Sequence, residues 1–307
     1  MVSVDQTLPR IGIVGVGRMG SNMARRLADC GYPISGIYDV NQDIANLLAS
    51  ELSTPAFESL SKLTQDSDVI LTIVSDDAAM DSIYHGSDDN LFQQAKGKTF
   101  INFATITPQV HIDLIQEAKT VGAQMIEAPM ASSIPQARDG SLFLMVAGDE
   151  ETIKANTSLL NVLSKEFIYT GPAGSAAKIK ALVNMVMNIN TAALAEGLGL
   201  ADALGLDLGL VQEIFARTGA NSRVLETDAE DMVKRDHDAY FSAAHAAKDS
   251  GIALKLGESL QMEMVLAKAT YHQYQRLTDL GFGHLDKSGI AELTFKERIP
   301  KSVQTTC

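Results

Sequence analysis

Two stretches of this 307-residue sequence carry residues whose types and spacing could do chemistry. The first is Gly15-Val16-Gly17-Arg18-Met19-Gly20, a G-x-G-x-x-G run directly after the apolar segment Ile11-Gly12-Ile13-Val14. Between a strand and a helix, each glycine has a physical task. Gly15 allows the tight turn, Gly17 lets backbone approach a pyrophosphate, and Gly20 lets the helix pack closely on the strand. The helix N-terminus then offers unpaired N–H groups and a positive dipole end to the phosphates. Arg18, inside the loop, either faces a phosphate or is solvated. Asp39 comes nineteen residues after Gly20, at the end of the next strand pattern. A carboxylate there accepts hydrogen bonds from ribose hydroxyls and repels a 2′-phosphate, which favours NAD over NADP. Val74 and Ser75, at the end of the third strand pattern, join the cofactor candidates.

The second stretch is Lys180 and Asn184. Four residues apart in a helical pattern, they share one face, and Asn188 continues the stripe. The rest of that pattern is apolar, so a lysine and two amides on it are costly unless they line a cavity. Reduction of a carbonyl needs a hydride from a nicotinamide and a proton for the developing alkoxide. A lysine ammonium can supply the proton. In reverse the neutral amine takes it back, which works near neutral pH only if desolvation lowers its pKa. An asparagine beside it can hold the substrate hydroxyl or orient the lysine. The structural alternative is a lysine whose stem covers apolar surface while its head reaches water.

The elements that must position these groups follow from periodicity. Strand patterns lie at 11–14, 34–38, 69–74, 99–103, 125–128, 142–147 and 167–170. The run Val69-Ile70-Leu71-Thr72-Ile73-Val74 is almost wholly apolar, as a strand buried on both faces must be. Met19, Met23 and Leu27 recur every four residues, a helix between the first two strands. Strand–helix alternation of this kind predicts a doubly wound, Rossmann-type α/β sheet. After Gly171-Pro172-Ala173-Gly174 the pattern becomes helical, with segments at 175–203, 207–217, 243–260 and 265–280. The expected division is therefore a dinucleotide-binding domain over 1–172 and an all-α domain over 173–307.

Composition excludes several classes. Apolar residues make up 46% and charged residues 21%, an ordinary globular balance. The 25 basic and 38 acidic residues give a net charge of −13, which opposes binding to nucleic acid. Cys30 and Cys307 are too few for a disulfide framework and fit a reducing, cytoplasmic setting, with Cys30 a small core residue. The N-terminal residues, with Asp5 and no apolar core, do not read as a signal peptide. The apolar run 181–200 is interrupted by Asn184, Asn188, Asn190 and Glu196, so it reads as a buried helix and not a membrane span. Among the six histidines no H-x-x-x-H spacing occurs, so no metal site is expected; His284 reads as satisfied or solvated. Asp76-Asp77 and Asp88-Asp89 read as solvated loop acids.

These residues resemble the β-hydroxyacid dehydrogenase family, related to 3-hydroxyisobutyrate dehydrogenase, over nearly the whole chain. Gly15 through Ala24 is similar to the family's G-x-G-x-M-G-x-x-M-A loop, and the segment from Gly171 looks like its G-x-x-G-x-G-x-x-x-K segment. The resemblance implies that Lys180 is the catalytic lysine, with Asn184 beside the substrate. Phe241 and Lys248-Asp249 match a late F…K-D motif, which implies that Lys248 reaches both nicotinamide and substrate. Thr105 is kept from the family's D-x-S-T, whereas Asn102 and Ala104 replace its acid and serine. Asp286-Lys287-Ser288-Gly289 resembles the closing segment. The substrate segment, usually D-A-P-V-S-G-G, here reads Glu127-Ala128-Pro129-Met130-Ala131-Ser132-Ser133. Ala131, Ser132 and Ser133 thus stand where the family grips a carboxylate, with a narrower cradle and added hydroxyls. Ala176 replaces a glycine of the lysine motif.

The expected function is hydride transfer between NAD(H) and a small 3-hydroxy acid or its semialdehyde. Lys180 is the general acid/base, Asn184 and Ala131–Ser133 position the substrate, and Lys248 completes the site. An imine reductase on the same fold, or a non-catalytic nucleotide-binding module, are the alternatives; the retained Lys180 argues against both. A homodimer or homotetramer is expected by analogy of fold.

Overall fold

The computed structural model describes residues 8–298. The reading of the N-terminus as lacking a leader rests on residues 1–7, which, like Cys307, lie outside the described residues.

The chain forms two compact units that divide in sequence between Lys180 and Ala181. The first alternates strands and helices: β1 (Ile11–Val14), α1 (Arg18–Asp29), β2 (Ile34–Tyr38), α2 (Gln42–Leu52), α3 (Leu60–Asp66), β3 (Val69–Thr72), α4 (Asp77–His85), β4 (Thr99–Asn102), α5 (Pro108–Thr120), β5 (Gln124–Glu127), α6 (Ile134–Asp139), β6 (Leu142–Gly148), α7 (Glu150–Ala155), α8 (Thr157–Leu163) and β7 (Ser164–Gly171). The strands form one sheet in the order β2-β1-β3-β4-β5-β6-β7. All neighbours are parallel except β5 and β6, which pair antiparallel through Ile126↔Gly148 and Glu127↔Ala147.

The period of two along each strand builds both faces of this sheet. Val69 and Leu71 of β3, Ile101 of β4 and Ile126 of β5 pack with α1, α2 and α8 in one apolar layer. The residues between them, Ile70, Phe100 and Met125, pack with α3, α4 and α5 in the other. A strand flanked by two dry layers has no polar face, which is why the 69–74 run reads as continuous apolar sequence.

In the second unit helices dominate. The long helix α9 (Ser175–Ala203) crosses the division between units, and α10 (Leu208–Ala216), α11 (Arg223–Lys234), α12 (Ala243–Ser259) and α13 (Val265–Leu277) follow. A π-helical turn at Thr278–Phe282 and a 3₁₀ segment at Lys287–Leu293 end the described chain. Its core gathers Leu194 and Leu198 of α9 with Val224, Met232, Ala246 and Tyr274. The buried polar groups of α9 fasten it to its neighbours within this unit. Asn188 donates to Ala246 O (3.2 Å) and Ser250 Oγ (2.9 Å) of α12, and Thr191 donates to Asp228 of α11 (3.3 Å). The Asn188 Nδ2 therefore serves packing against α12, while its Oδ1 is buried without a hydrogen-bond partner among the described residues. Among the described residues no helix is long and apolar enough to cross a membrane.

Three sequence expectations are corrected here, the first at Asp76, which is the N-cap of α4 and accepts from the Ala79 N–H (2.9 Å). Asp77 is not a solvated loop acid: it accepts from the Thr107 N–H (2.8 Å) and the Thr107 hydroxyl, tying the start of α4 to the N-cap of α5. Asp89 likewise accepts from the N–H groups of Leu60 (2.6 Å) and Ser61 (2.9 Å) at the start of α3. The Asp77 and Asp89 carboxylates serve helix or loop N–H donors distant in sequence, which charge and loop position alone do not reveal.

Candidate active site

The chain direction reverses from β2 back across β1 to β3, so the sheet has its topological switch point between β1 and β3. The glycine loop after β1, Asp39 after β2, Val74 and Ser75 after β3 and Thr105 after β4 all follow the C-terminal ends of adjacent strands. The geometry of the loop separates its three glycines. Gly15 has φ +87, and a Cβ there would run into the Ile73 carbonyl oxygen; a Cβ on Gly20 would run into the carbonyl oxygen of Gly15. Those two glycines are demanded by the protein's own backbone. A Cβ on Gly17 would meet nothing within 4 Å. The open space at Gly17 lies at the N-terminus of α1, whose N-cap carries no side-chain hydrogen bond and whose first turn holds no acid. Open space at Gly17, an N-cap without a side-chain hydrogen bond and a first turn without an acid fit a dinucleotide pyrophosphate.

Asp39 is half-buried and holds two backbone donors: Val16 N–H to Oδ2 (2.8 Å) and Asn41 N–H to Oδ1 (2.9 Å). Its carboxylate thus fixes the glycine loop in addition to any ribose contact. Ser75 donates to Asp76 Oδ2 (2.9 Å), Arg18 is exposed, and the Val16 side chain is buried in the core, so its contribution to the loop is its backbone.

The segment after β5 is tightly organised. Ala131 N–H donates to Phe143 O (2.9 Å), and Ser132 Oγ accepts from Phe143 N–H (2.9 Å). Ser133 N–H and its hydroxyl both turn to Gln136 Oε1 at 3.1 and 2.6 Å, closing the first turn of α6. The serines that replace two glycines thus lock the loop onto β6 and α6.

Lys180 is 8% exposed and lies one turn before Asn184, itself 2% exposed, on the same face of α9. Asn184 Nδ2 donates to Asp249 Oδ2 at 2.5 Å, and the Lys248 ammonium lies 2.9 Å from Asp249 Oδ1. Asp249 is 1% exposed, a charge that burial tolerates only because an amide and an ammonium face it. The structure therefore brings Asn184 and Lys248 together through Asp249, a residue whose part in the site the spacing argument did not supply. Its sequence signal was its place as the acid of the F…K-D motif, beside Lys248.

A second residue beyond the sequence reading is Glu127, the last residue of β5, which has no exposure. Its carboxylate accepts from the Gly174 N–H (2.7 Å) and the Ala177 N–H, at the start of the helix that carries Lys180. Burial outweighs these donors and pushes its pKa up to about 7. Among the described residues no group of three or more histidine, cysteine or acidic side chains could hold a metal ion. His284 is exposed and bonded to Gly281 O at 3.0 Å.

This fold and loop define a nicotinamide dinucleotide-dependent dehydrogenase of the Rossmann type. The model for the NAD binding domain of 6-phosphogluconate dehydrogenase matches residues 10–171, and that for the NAD-binding region of NADP-dependent 3-hydroxyisobutyrate dehydrogenase matches residues 174–294. The chain belongs to the β-hydroxyacid dehydrogenase family. Mitochondrial 3-hydroxyisobutyrate dehydrogenase of Drosophila melanogaster is 28% identical over 299 residues, 94% of this chain and 90% of that protein. Glyoxylate/succinic semialdehyde reductase 1 of Arabidopsis thaliana is 27% identical over 282 residues, 92% of this chain and 97% of that protein. In fold, the chain matches the Mycobacterium tuberculosis 3-hydroxyisobutyrate dehydrogenase solved with L-serine at a TM-score of 0.84 and 22% identity, covering 93% of this chain and 99% of that one.

Proposed function

We propose that this protein interconverts a small 3-hydroxy acid and the matching semialdehyde or keto acid, with NAD(H) as cofactor and Lys180 as general acid/base. The observation that carries this reading is Lys180 itself: a buried ammonium-bearing side chain one turn before an asparagine whose amide is held by Asp249. When bound, the nicotinamide supplies or accepts the hydride. In the reducing direction Lys180 Nζ holds the proton that the developing alkoxide needs; in the oxidising direction the neutral amine receives it. Asn184, oriented by Asp249, presents its amide oxygen as an acceptor to the lysine or to the substrate hydroxyl. Lys248 balances the charge of Asp249 and offers an ammonium to a substrate carboxylate or the cofactor. Ala131, Ser132 and Ser133 form a rigid wall that sets substrate size. The names of the relatives support semialdehydes and 3-hydroxy acids of about this size as the substrate class.

NAD is preferred over NADP on this reading because Asp39, after β2, presents a negative charge where a 2′-phosphate would lie. The low cysteine count supports a cytoplasmic setting on this reading. Exposed Leu182 and Val186 on α9 support assembly into a homodimer or homotetramer.

The test is a spectrophotometric screen of 3-hydroxy acids and semialdehydes with NAD(H) and NADP(H), run beside Lys180→Ala. Loss of about a hundredfold or more in kcat for the variant is expected. Equal activity would remove Lys180 from its role, and a strong NADPH preference would overturn the reading of Asp39.

A further inference from the structure

Among the described residues, six helix starts are capped by the residue that precedes them. Asn41, Ser59, Asp76, Asp149, Asp207 and Ser242 each accept an N–H of the helix they precede. At α9 two first-turn donors go instead to a residue far back in the chain. Gly174 N–H and Ala177 N–H both reach the carboxylate of Glu127, 47 and 50 residues earlier. We infer that Glu127 is a positioning residue: a carboxylate clamp that fixes the first turn of α9 to the sheet and thereby fixes where Lys180 stands.

Three observations carry this. Glu127 cannot shift, because it is fully buried at the end of β5 and in register with Asn102 of β4 on one side and Ala147 of β6 on the other. The clamp spans both ends of the first turn, since Gly174 immediately precedes the helix and Ala177 is its third residue. The approach to the helix is fixed as well: Gly174 has φ +84, and a Cβ there would press on Ile112 of α5. Lys180 lies three residues past Ala177, about 4.5 Å along the axis at 1.5 Å per residue. A turn that is free to fray or slide would displace the ammonium by comparable distances, and displacements near 1 Å already cost rate. Above its raised pKa of about 7, the ionised carboxylate at the helix N-terminus also lies favourably in the helix dipole. The carboxylate is one methylene longer than the aspartate of the segment it resembles, the length at which it meets these donors here.

The inference rests on the assignment of Lys180 above. Glu127→Gln keeps the volume but turns an NH₂ toward one of the two N–H donors. It should lower kcat tenfold or more, leave KM for the dinucleotide within twofold, and speed amide exchange of a 172–179 peptide tenfold or more, while a peptide over β1 is unchanged. Glu127→Asp, which restores the charge, should recover part of kcat and part of the protection. The inference is overturned if folded Glu127→Gln keeps wild-type kcat, or if its loss falls on KM alone. If Glu127→Gln does not fold, Glu127→Asp decides: it should lower kcat at unchanged KM, and wild-type kcat with faster exchange at α9 would refute the link to Lys180. If Lys180→Ala retains activity, the catalytic assignment fails while the exchange data still report on the clamp, so the two failures are distinguishable.

Discussion

Asn184 and Asp249 meet across two helices of the second unit in a buried hydrogen bond of 2.5 Å, amide to carboxylate. Removing the amide leaves a nearly inaccessible carboxylate short of a donor, at a cost of about 1–3 kcal/mol. Asn184→Ala should therefore lower the urea midpoint as well as kcat. Asp249→Asn should lower kcat with a smaller stability loss, because the buried charge goes too. Chemical denaturation beside steady-state kinetics separates the two effects.

Gly20 and Gly17 of the loop should part company under substitution. Gly20→Ala drives a methyl group into the Gly15 carbonyl, an overpacking cost of about 1–3 kcal/mol. Its Tm should fall by several degrees. Gly17→Ala meets open space, so its Tm should stay within about two degrees of wild type. Its NADH affinity should nonetheless drop tenfold or more, read by titration of cofactor fluorescence, because the methyl group takes the space left for pyrophosphate.

Asp39 carries two duties, and its replacement should expose both. Asp39→Ser removes the charge that opposes a 2′-phosphate and an acceptor of the Val16 N–H. The ratio of kcat/KM for NADH over NADPH should fall by about tenfold or more, a hydrogen bond to a charged group being worth about 1.5–3 kcal/mol. KM for both cofactors should rise as the loop loosens. An unchanged ratio would mean that Asp39 serves the loop alone.

His85, at the end of α4, bridges Asp81 (2.8 Å) on its own helix and Glu117 (2.6 Å) on α5. The Asp81 carboxylate, with Glu117 behind it, raises its pKa above the usual histidine value of 6.5. The sign follows from linkage: the folded state holds the proton more tightly, so the stabilisation is complete below pH 6.5 and is lost as pH rises through the raised value. The pair is exposed, so the effect should stay under about 1 kcal/mol and vanish at high salt. Thermal melts of His85→Ala against wild type should differ at pH 6 and converge at pH 9.

Much of the fold was legible because it rests on local rules. The expected strands at 11–14 and 34–38 and the helix at 175–203 coincide with the observed β1, β2 and α9, since side-chain alternation and helical period are written into adjacent residues. The third strand is shorter than the apolar run, ending at Thr72, because Ile73 and Val74 already turn toward the loop at its tip. Strand direction was not legible: β6 carries the same apolar alternation whether it runs with β5 or against it. Helix α11 was missed, because its 223–234 segment has only a narrow apolar stripe of Val224, Leu225 and Met232 among charges.

The sequence by itself determined the dinucleotide loop, with its backbone-forced glycines, and placed Lys180 and Asn184 on one helix face, because turn sterics and helix geometry act over a few residues. Tertiary structure alone decided which carboxylates those groups answer to: Glu127 at the start of α9, Asp249 against Asn184, Asp39 against Val16. A charged oxygen reaches about 3 Å for its donor, whereas the chain separating the partners is 23 to 65 residues long. No spacing rule spans such a separation, so the partner of a buried acid is fixed only when the core that buries it has closed.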